Sequence, residues 1–86
     1  MRISKTTQDK LTELLRSQDY IVRYEKGNFR GGYCIVMKDK MIIINKFYPL
    51  ESKISTLADV IRQVEIDESS LSEEQARLLK QVHKPS

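Results

Sequence analysis

Asp59 and Gln63 lie four residues apart in residues 53–64, a segment with helical periodicity. Side chains at positions i and i+4 share one face of a helix, the spacing at which two histidines bind zinc when a glutamate follows the first. Here Val60 follows Asp59, an amide is a poor zinc ligand, and valine cannot act as a base. The only histidine, His83, lies near the C-terminus. We therefore expect no metal site and no cofactor, and we interpret Asp59 and Gln63 as solvated polar residues.

The other reactive residue types give no better catalytic candidates. Cys34 is the only cysteine, which excludes an internal disulfide. A nucleophilic thiol needs a nearby base, whereas Cys34 lies in a predicted strand and His83 in a predicted tail. The carboxylates of residues 67–68 and 73–74 fall in a polar break and in the first turn of a helix, where they favour the helix dipole. We expect no catalytic residues and no enzyme activity.

A glycine-rich segment, residues 26–33, is the main irregular stretch and the candidate binding loop. Its adjacent glycines permit backbone conformations that other residues disfavour. Phe29 between cations could stack on a base or pack into a partner, and Lys26 and Arg30 could contact phosphate or carboxylate. The alternative is a wide turn with Phe29 folded back as a hydrophobic lid. The candidate binding residues are Lys26, Asn28, Phe29, Arg30, Gly31, Gly32 and Tyr33.

Three helices and three strands must position this loop. Leu11, Leu14 and Leu15 form the narrow apolar stripe of a surface helix over residues 6–18, with Thr6 or Thr7 as N-cap. A second helix follows Pro49, with apolar residues from 54 to 64 at helical spacing. Residues 72–75, Ser-Glu-Glu-Gln, have the form of a capping box and predict the start of a third helix.

The strands are predicted at residues 20–25, 33–38 and 41–46, with a tight hairpin at residues 39–40. Residues 41–44 are apolar on both faces, so this strand should be central or covered on both sides. The order α-β-β-β-α-α predicts a single small α+β domain over residues 1–86. We expect a three-stranded, mainly antiparallel sheet packed against helices, with frayed ends at about residues 1–5 and 83–86. Ile42 and Ile44 are the candidate interface residues of a homodimer.

Residues 40–45 and 53–64 together resemble the core of the ImmA/IrrE-type zinc metallopeptidases. There a strand ending in Ile-Asn precedes a helix reading Thr-Leu-Ala-His-Glu-x-x-His, and Thr56, Leu57 and Ala58 match that helix. The resemblance covers about 25 residues and lacks the metal ligands, so it implies a degenerate core without peptidase activity. In that family the strands before the zinc helix help to form the substrate groove, which implies a peptide-binding edge by analogy.

A second resemblance concerns residues 23–34 and 44–46. The pattern Arg-Tyr-x-Lys-Gly-x-Phe-x-Gly-Gly-Tyr-Cys, followed by Ile-Asn-Lys, is similar to that of a small group of bacterial proteins and implies no activity. No apolar run approaches the ~20 residues that span a bilayer, and the N-terminus lacks the apolar run of a secretory signal. We expect a cytoplasmic protein without a membrane partner.

Three hypotheses follow for the function. The preferred one is a non-catalytic interaction domain that self-associates or binds a protein segment. The second is a nucleic-acid-binding module, since residues 1–46 carry ten Lys and Arg against five Asp and Glu. Its phosphate contacts would be Arg23, Lys26, Arg30, Lys38, Lys40 and Lys46, with Phe29 and Tyr33 stacking on bases. The third is an enzyme of another kind, for which the sequence nominates no site.

Overall fold

The computed structural model describes residues 1–26 and 33–84. Helix α1 spans Lys5–Ser17, strand β1 Ile21–Glu25, strand β2 Tyr33–Val36 and strand β3 Met41–Asn45. Helix α2 spans Leu50–Gln63 and helix α3 Glu73–His83. Short 3-10 turns at Met37–Asp39 and Glu68–Ser70 complete the order. The predicted α+β class and the order α-β-β-β-α-α are confirmed, and in the described part of the chain no helix is long and apolar enough to cross a membrane.

The helix boundaries follow from local capping. α1 begins at Lys5, one residue before the predicted start, because Ser4 and not Thr6 or Thr7 is its N-cap and accepts from the Thr7 amide at 3.2 Å. α2 begins directly after Pro49, which occupies the N-cap position. The predicted capping box of α3 is confirmed, with Ser72 and Gln75 each accepting from the other's backbone amide at 3.1 Å.

The sheet is mixed, not mainly antiparallel, and its order is β1-β3-β2. β3 lies between the other two strands, parallel to β1 and antiparallel to β2. The alternation of side chains predicts faces but carries no information about which strands are neighbours. In the central position, β3 can form ladder hydrogen bonds on both of its sides, which suits a strand that is apolar on both faces.

The core lies between one face of the sheet and the helices. Leu11, Leu14 and Leu15 from α1 have no exposed surface, and neither do Ile42 and Ile44 from β3. From α2 and α3, the core receives Ile54, Leu57, Ala58, Val60, Ile61, Leu79 and Val82. The predicted stripes of α1 and α2 therefore pack on the sheet, and the stripe of α3 packs against the other two helices.

Candidate functional site

The second face of the sheet is left open by the helices. Residues opposite one another in a ladder point to the same face, so the strand registers assign Ile21, Met41 and Val36 to one row of this face and Arg23, Ile43 and Cys34 to the next. Glu25 and Asn45 form the third row. We call the apolar members, Ile21, Cys34, Val36, Met41 and Ile43, the open face. Ile21 is 49% exposed and the other four are half-buried.

Polarity increases along the open face from the hairpin end towards the loop end. The row of Ile21, Met41 and Val36 contains no polar side chain, whereas Arg23 lies beside Ile43 in the next row. Arg23 Nε contacts Glu25 Oε2 at 3.4 Å, so the two charges on β1 compensate each other. The uncharged part of the surface is therefore concentrated on β3 and β2.

Hydrogen bonds at both ends of β1 show which backbone groups of the sheet point outwards. The Ile21 amide donates to the Lys40 carbonyl at 2.7 Å, and the Lys46 amide donates to the Glu25 carbonyl at 3.1 Å. Even-numbered residues of β3 therefore bond to β1, and odd-numbered residues bond to β2. It follows that Val22 and Tyr24 direct their backbone groups to the outer edge of β1.

The same alternation assigns the outer edge of β2. Its register pairs Cys34 with Ile43 and Val36 with Met41, the residues of β3 that bond towards β2. Tyr33 and Ile35 therefore direct their amides and carbonyls away from β3. Within the described ranges, β2 packs extensively only against β3.

The two outer edges differ in their protection. Arg16, in the last turn of α1, donates from Nη2 to the Val22 carbonyl at 3.2 Å and occupies the edge of β1. Exposed edges are sites of unwanted pairing, which charged side chains commonly suppress. β2 has the sequence Tyr-Cys-Ile-Val, without a charge or a proline. Among the described residues, a charged side chain thus occupies the edge of β1 but not the edge of β2. We call the first edge guarded and the second available.

Ile42 and Ile44, the candidate interface residues, are placed on the opposite side of β3. Both have no exposed surface and pack against the helices. A fully buried side chain offers no area to a partner, so these two residues belong to the intramolecular core and not to a docking surface. Met41 and Ile43, which the sequence analysis did not select, are the β3 residues on the open face.

The candidate loop falls mostly outside the described residues. Asn28, Phe29, Arg30, Gly31 and Gly32 all lie there, so their predicted binding role stays a prediction. Of its flanking residues, Lys26 directly follows β1 and Tyr33 begins β2.

A hydrogen bond joins one flank of the loop to α2. Gln63 Nε2 donates to the Tyr33 hydroxyl at 3.0 Å. Asp59, one turn earlier, accepts from Arg62 at 2.7 Å instead. Tyr33 and Gln63 are therefore neighbours, as a shared site would require, but Asp59 makes its contact within α2.

The zinc-like positions of α2 do not converge on one point. Val60 is fully buried in the core, while Asp59 and Gln63 are exposed. His83 ends α3 and Cys34 lies in β2. In residues 1–26 and 33–84, no group of three or more His, Cys, Asp or Glu side chains is placed to hold a metal ion.

Of the six cations of the nucleic-acid hypothesis, Arg30 lies outside the described residues, and the other five do not form one continuous surface. Lys26 and Lys46 follow the carboxyl ends of β1 and β3, whereas Lys38 and Lys40 lie at the hairpin end. Five residues at about 3.3 Å each separate these ends by about 16 Å. Lys40 is also engaged, since its Nζ donates to the Gln18 carbonyl at 2.9 Å and lies 4.7 Å from the Tyr20 ring centroid.

A polar cluster around Gln18 was missed in the sequence analysis. Gln18 is 8% exposed, accepts from the Asp67 amide at 2.6 Å and donates to the Ser70 hydroxyl at 3.0 Å. It joins the end of α1 to the turn before α3, more than forty positions away in sequence. No local pattern indicates such a contact, and its partners are all satisfied, so we interpret it as structural.

Comparisons with known proteins found no match to any family model, to any curated protein or to any solved structure. The resemblance to the metallopeptidase core therefore stays a prediction, and the function must be argued from the geometry of this chain.

Proposed function

We propose that this chain is a non-catalytic interaction domain that associates with a second copy of itself through the uncharged part of the open face and the edge of β2 beside it. The observation that carries the proposal is the one-sided packing: the helices lie on the face of Ile42 and Ile44, and the other face presents apolar side chains. Burial of apolar surface is the dominant favourable term in most protein association. The uncharged half of this face adjoins the unguarded edge of β2.

The lack of uncompensated charge on the open face favours a second copy of the chain as its partner. Cys34, Val36, Met41 and Ile43 carry no charge, and Arg23 is already paired with Glu25. A surface of this kind offers nothing that would select a charged ligand, whereas an identical apolar surface is complementary to it under two-fold symmetry. The open face has five apolar residues, far fewer than the roughly 20–30 residues per partner of a standard interface, so we expect weak association.

Sedimentation equilibrium tests this proposal on the wild-type chain. With an interface at the low end of the usual size range, we expect a reversible monomer–dimer equilibrium between about 10 and about 500 µM. A chain that remains monomeric over this whole range would refute self-association. The same result would leave capture of a different protein as a separate hypothesis.

A pair of charge variants tests the surface. Cys34→Lys places a charge on the open face, and Gln81→Lys adds the same charge on the exposed side of α3. We expect the dissociation constant to rise about tenfold or more for Cys34→Lys, because like charges then oppose each other across the interface, and to change little for Gln81→Lys. Far-UV circular dichroism of both variants checks that the fold is retained. Equal effects of the two substitutions would contradict the assigned surface.

A further inference from the structure

We infer that two copies pair through the outer edge of β2, antiparallel and around a two-fold axis at Cys34, to form a continuous six-stranded sheet. This inference rests on the proposed self-association and assigns the contact to the edge of β2. The open faces of the two copies then lie side by side in one surface, and they meet only at their β2 side chains. The strand order of the assembly would be β1-β3-β2 followed by β2-β3-β1 of the second copy.

The backbone of β2 is suited to this pairing. Tyr33 and Ile35 direct their amides and carbonyls outwards, as the register with β3 requires. In an antiparallel ladder centred on Cys34, Tyr33 lies opposite Ile35 of the second copy, and the two exchange two hydrogen bonds. The two-fold axis repeats this pair, so four main-chain hydrogen bonds form without any change in the β2–β3 ladder.

The side chains of β2 favour the same arrangement. A perpendicular two-fold axis keeps each face of the sheet continuous, so Cys34 of each copy lies on the open face and opposite its equivalent. Tyr33 and Ile35 stay on the helix-covered face, where both pack against the core. No charged residue lies within Tyr33–Val36 to oppose a second identical strand.

The guarded edge of β1 explains why assembly would stop at two copies. Arg16 occupies the Val22 carbonyl at that edge, and Arg23 and Glu25 add charges along β1. A sheet with two available edges could extend into a filament, whereas one available edge that pairs with itself produces a closed dimer. The asymmetry between β1 and β2 therefore favours a second copy over open-ended assembly.

Amide hydrogen exchange measured by NMR tests the pairing without any substitution. We expect the Tyr33 and Ile35 amides to exchange more slowly as the protein concentration rises, by about tenfold or more when most of the chain is dimeric. The Val22 and Tyr24 amides, which point outwards from the other edge, are the internal control and should not respond. Protection of Val22 and Tyr24 in place of Tyr33 and Ile35 would overturn the inference.

Disulfide trapping tests the position of the axis. In the proposed register the two Cys34 residues form a non-hydrogen-bonded pair with Cα atoms about 4.5 Å apart, within the range of a disulfide. Diamide oxidises the two thiols by accepting their two electrons and two protons, and we expect rapid formation of a covalent dimer.

The control variant carries C34S together with V36C. It moves the thiol two residues along the same strand and face. Four residues of stagger then separate the two Cα atoms by about 14 Å, too far for a disulfide. Equal trapping of the two proteins would overturn the Cys34-centred register.

The two proposals fail in different ways. A wild-type chain that is monomeric by sedimentation removes both of them. If sedimentation shows a dimer but the Tyr33 and Ile35 amides are not protected, the β2 pairing alone is refuted. Self-association through another part of the open face would then remain.

Discussion

Replacing Ile42 with alanine should destabilise the protein much more than the same change at Ile43, its neighbour on β3. Ile42 has no exposed surface, whereas Ile43 is half-buried on the open face. Ile42→Ala removes the equivalent of three buried methylene groups, worth about 2.4 kcal/mol at ~0.8 kcal/mol each, and the remaining cavity adds to this cost. We therefore expect a loss of about 3–4 kcal/mol for Ile42→Ala, and about 1 kcal/mol for Ile43→Ala.

Urea denaturation followed by circular dichroism measures this difference. With a slope of about 1 kcal/mol per M, typical of a small domain, Ile42→Ala should lower the midpoint by about 3 M and Ile43→Ala by about 1 M. The measurements should be made at low protein concentration, where the monomer dominates, so that association does not contribute to the free energy of unfolding. Equal losses for the two variants, or a larger loss for Ile43→Ala, would refute the assignment of the two faces.

Two further predictions concern polar residues. Gln18→Ala should lower the free energy of unfolding by about 1–2 kcal/mol, because it removes the hydrogen bonds to the Asp67 amide and the Ser70 hydroxyl. Urea denaturation measures this loss, and Gln63→Ala, which removes one exposed hydrogen bond, should cost less than half as much. Single-stranded DNA should bind weakly at low salt, with a log–log salt slope no steeper than about −2, because Lys26 and Lys46 lie at one end of the sheet and Lys38 and Lys40 at the other. A slope of about −4 in fluorescence anisotropy titrations would instead indicate a continuous six-cation surface.

The sequence determined the helices and the face of β1 that enters the core. Leucines at helical spacing in α1, the apolar stripe of α2 and the capping box of α3 are local patterns, and the structure confirms them. The alternation of Tyr20, Val22 and Tyr24 likewise predicted the inner face of β1, on which Tyr20 and Val22 are buried. These features depend on residues within one or two turns of each other, so a local pattern contains the information.

Only the tertiary structure decided which strands are neighbours in the sheet. An antiparallel meander and the observed mixed sheet place the same side chains inwards, so alternation cannot distinguish β1-β2-β3 from β1-β3-β2. Which face of β3 enters the core was likewise decided only by the tertiary structure. Ile42 and Ile44 are indistinguishable by type from Ile43, and only the packing of the helices on one side separates core from open face.

The candidate site also has some features that the sequence predicted and others that only the tertiary structure decided. The sequence alone predicted a strand at residues 33–38 and a cation pattern in the first half of the chain, and the structure ends this strand at Val36. Three further features depend on contacts between residues distant in sequence. These are the edge position of β2, the contact of Arg16 with the edge of β1 and the separation of the lysines at the two ends of the sheet. Edge position is a property of the whole sheet, because a strand is an edge only when no other strand occupies its second side.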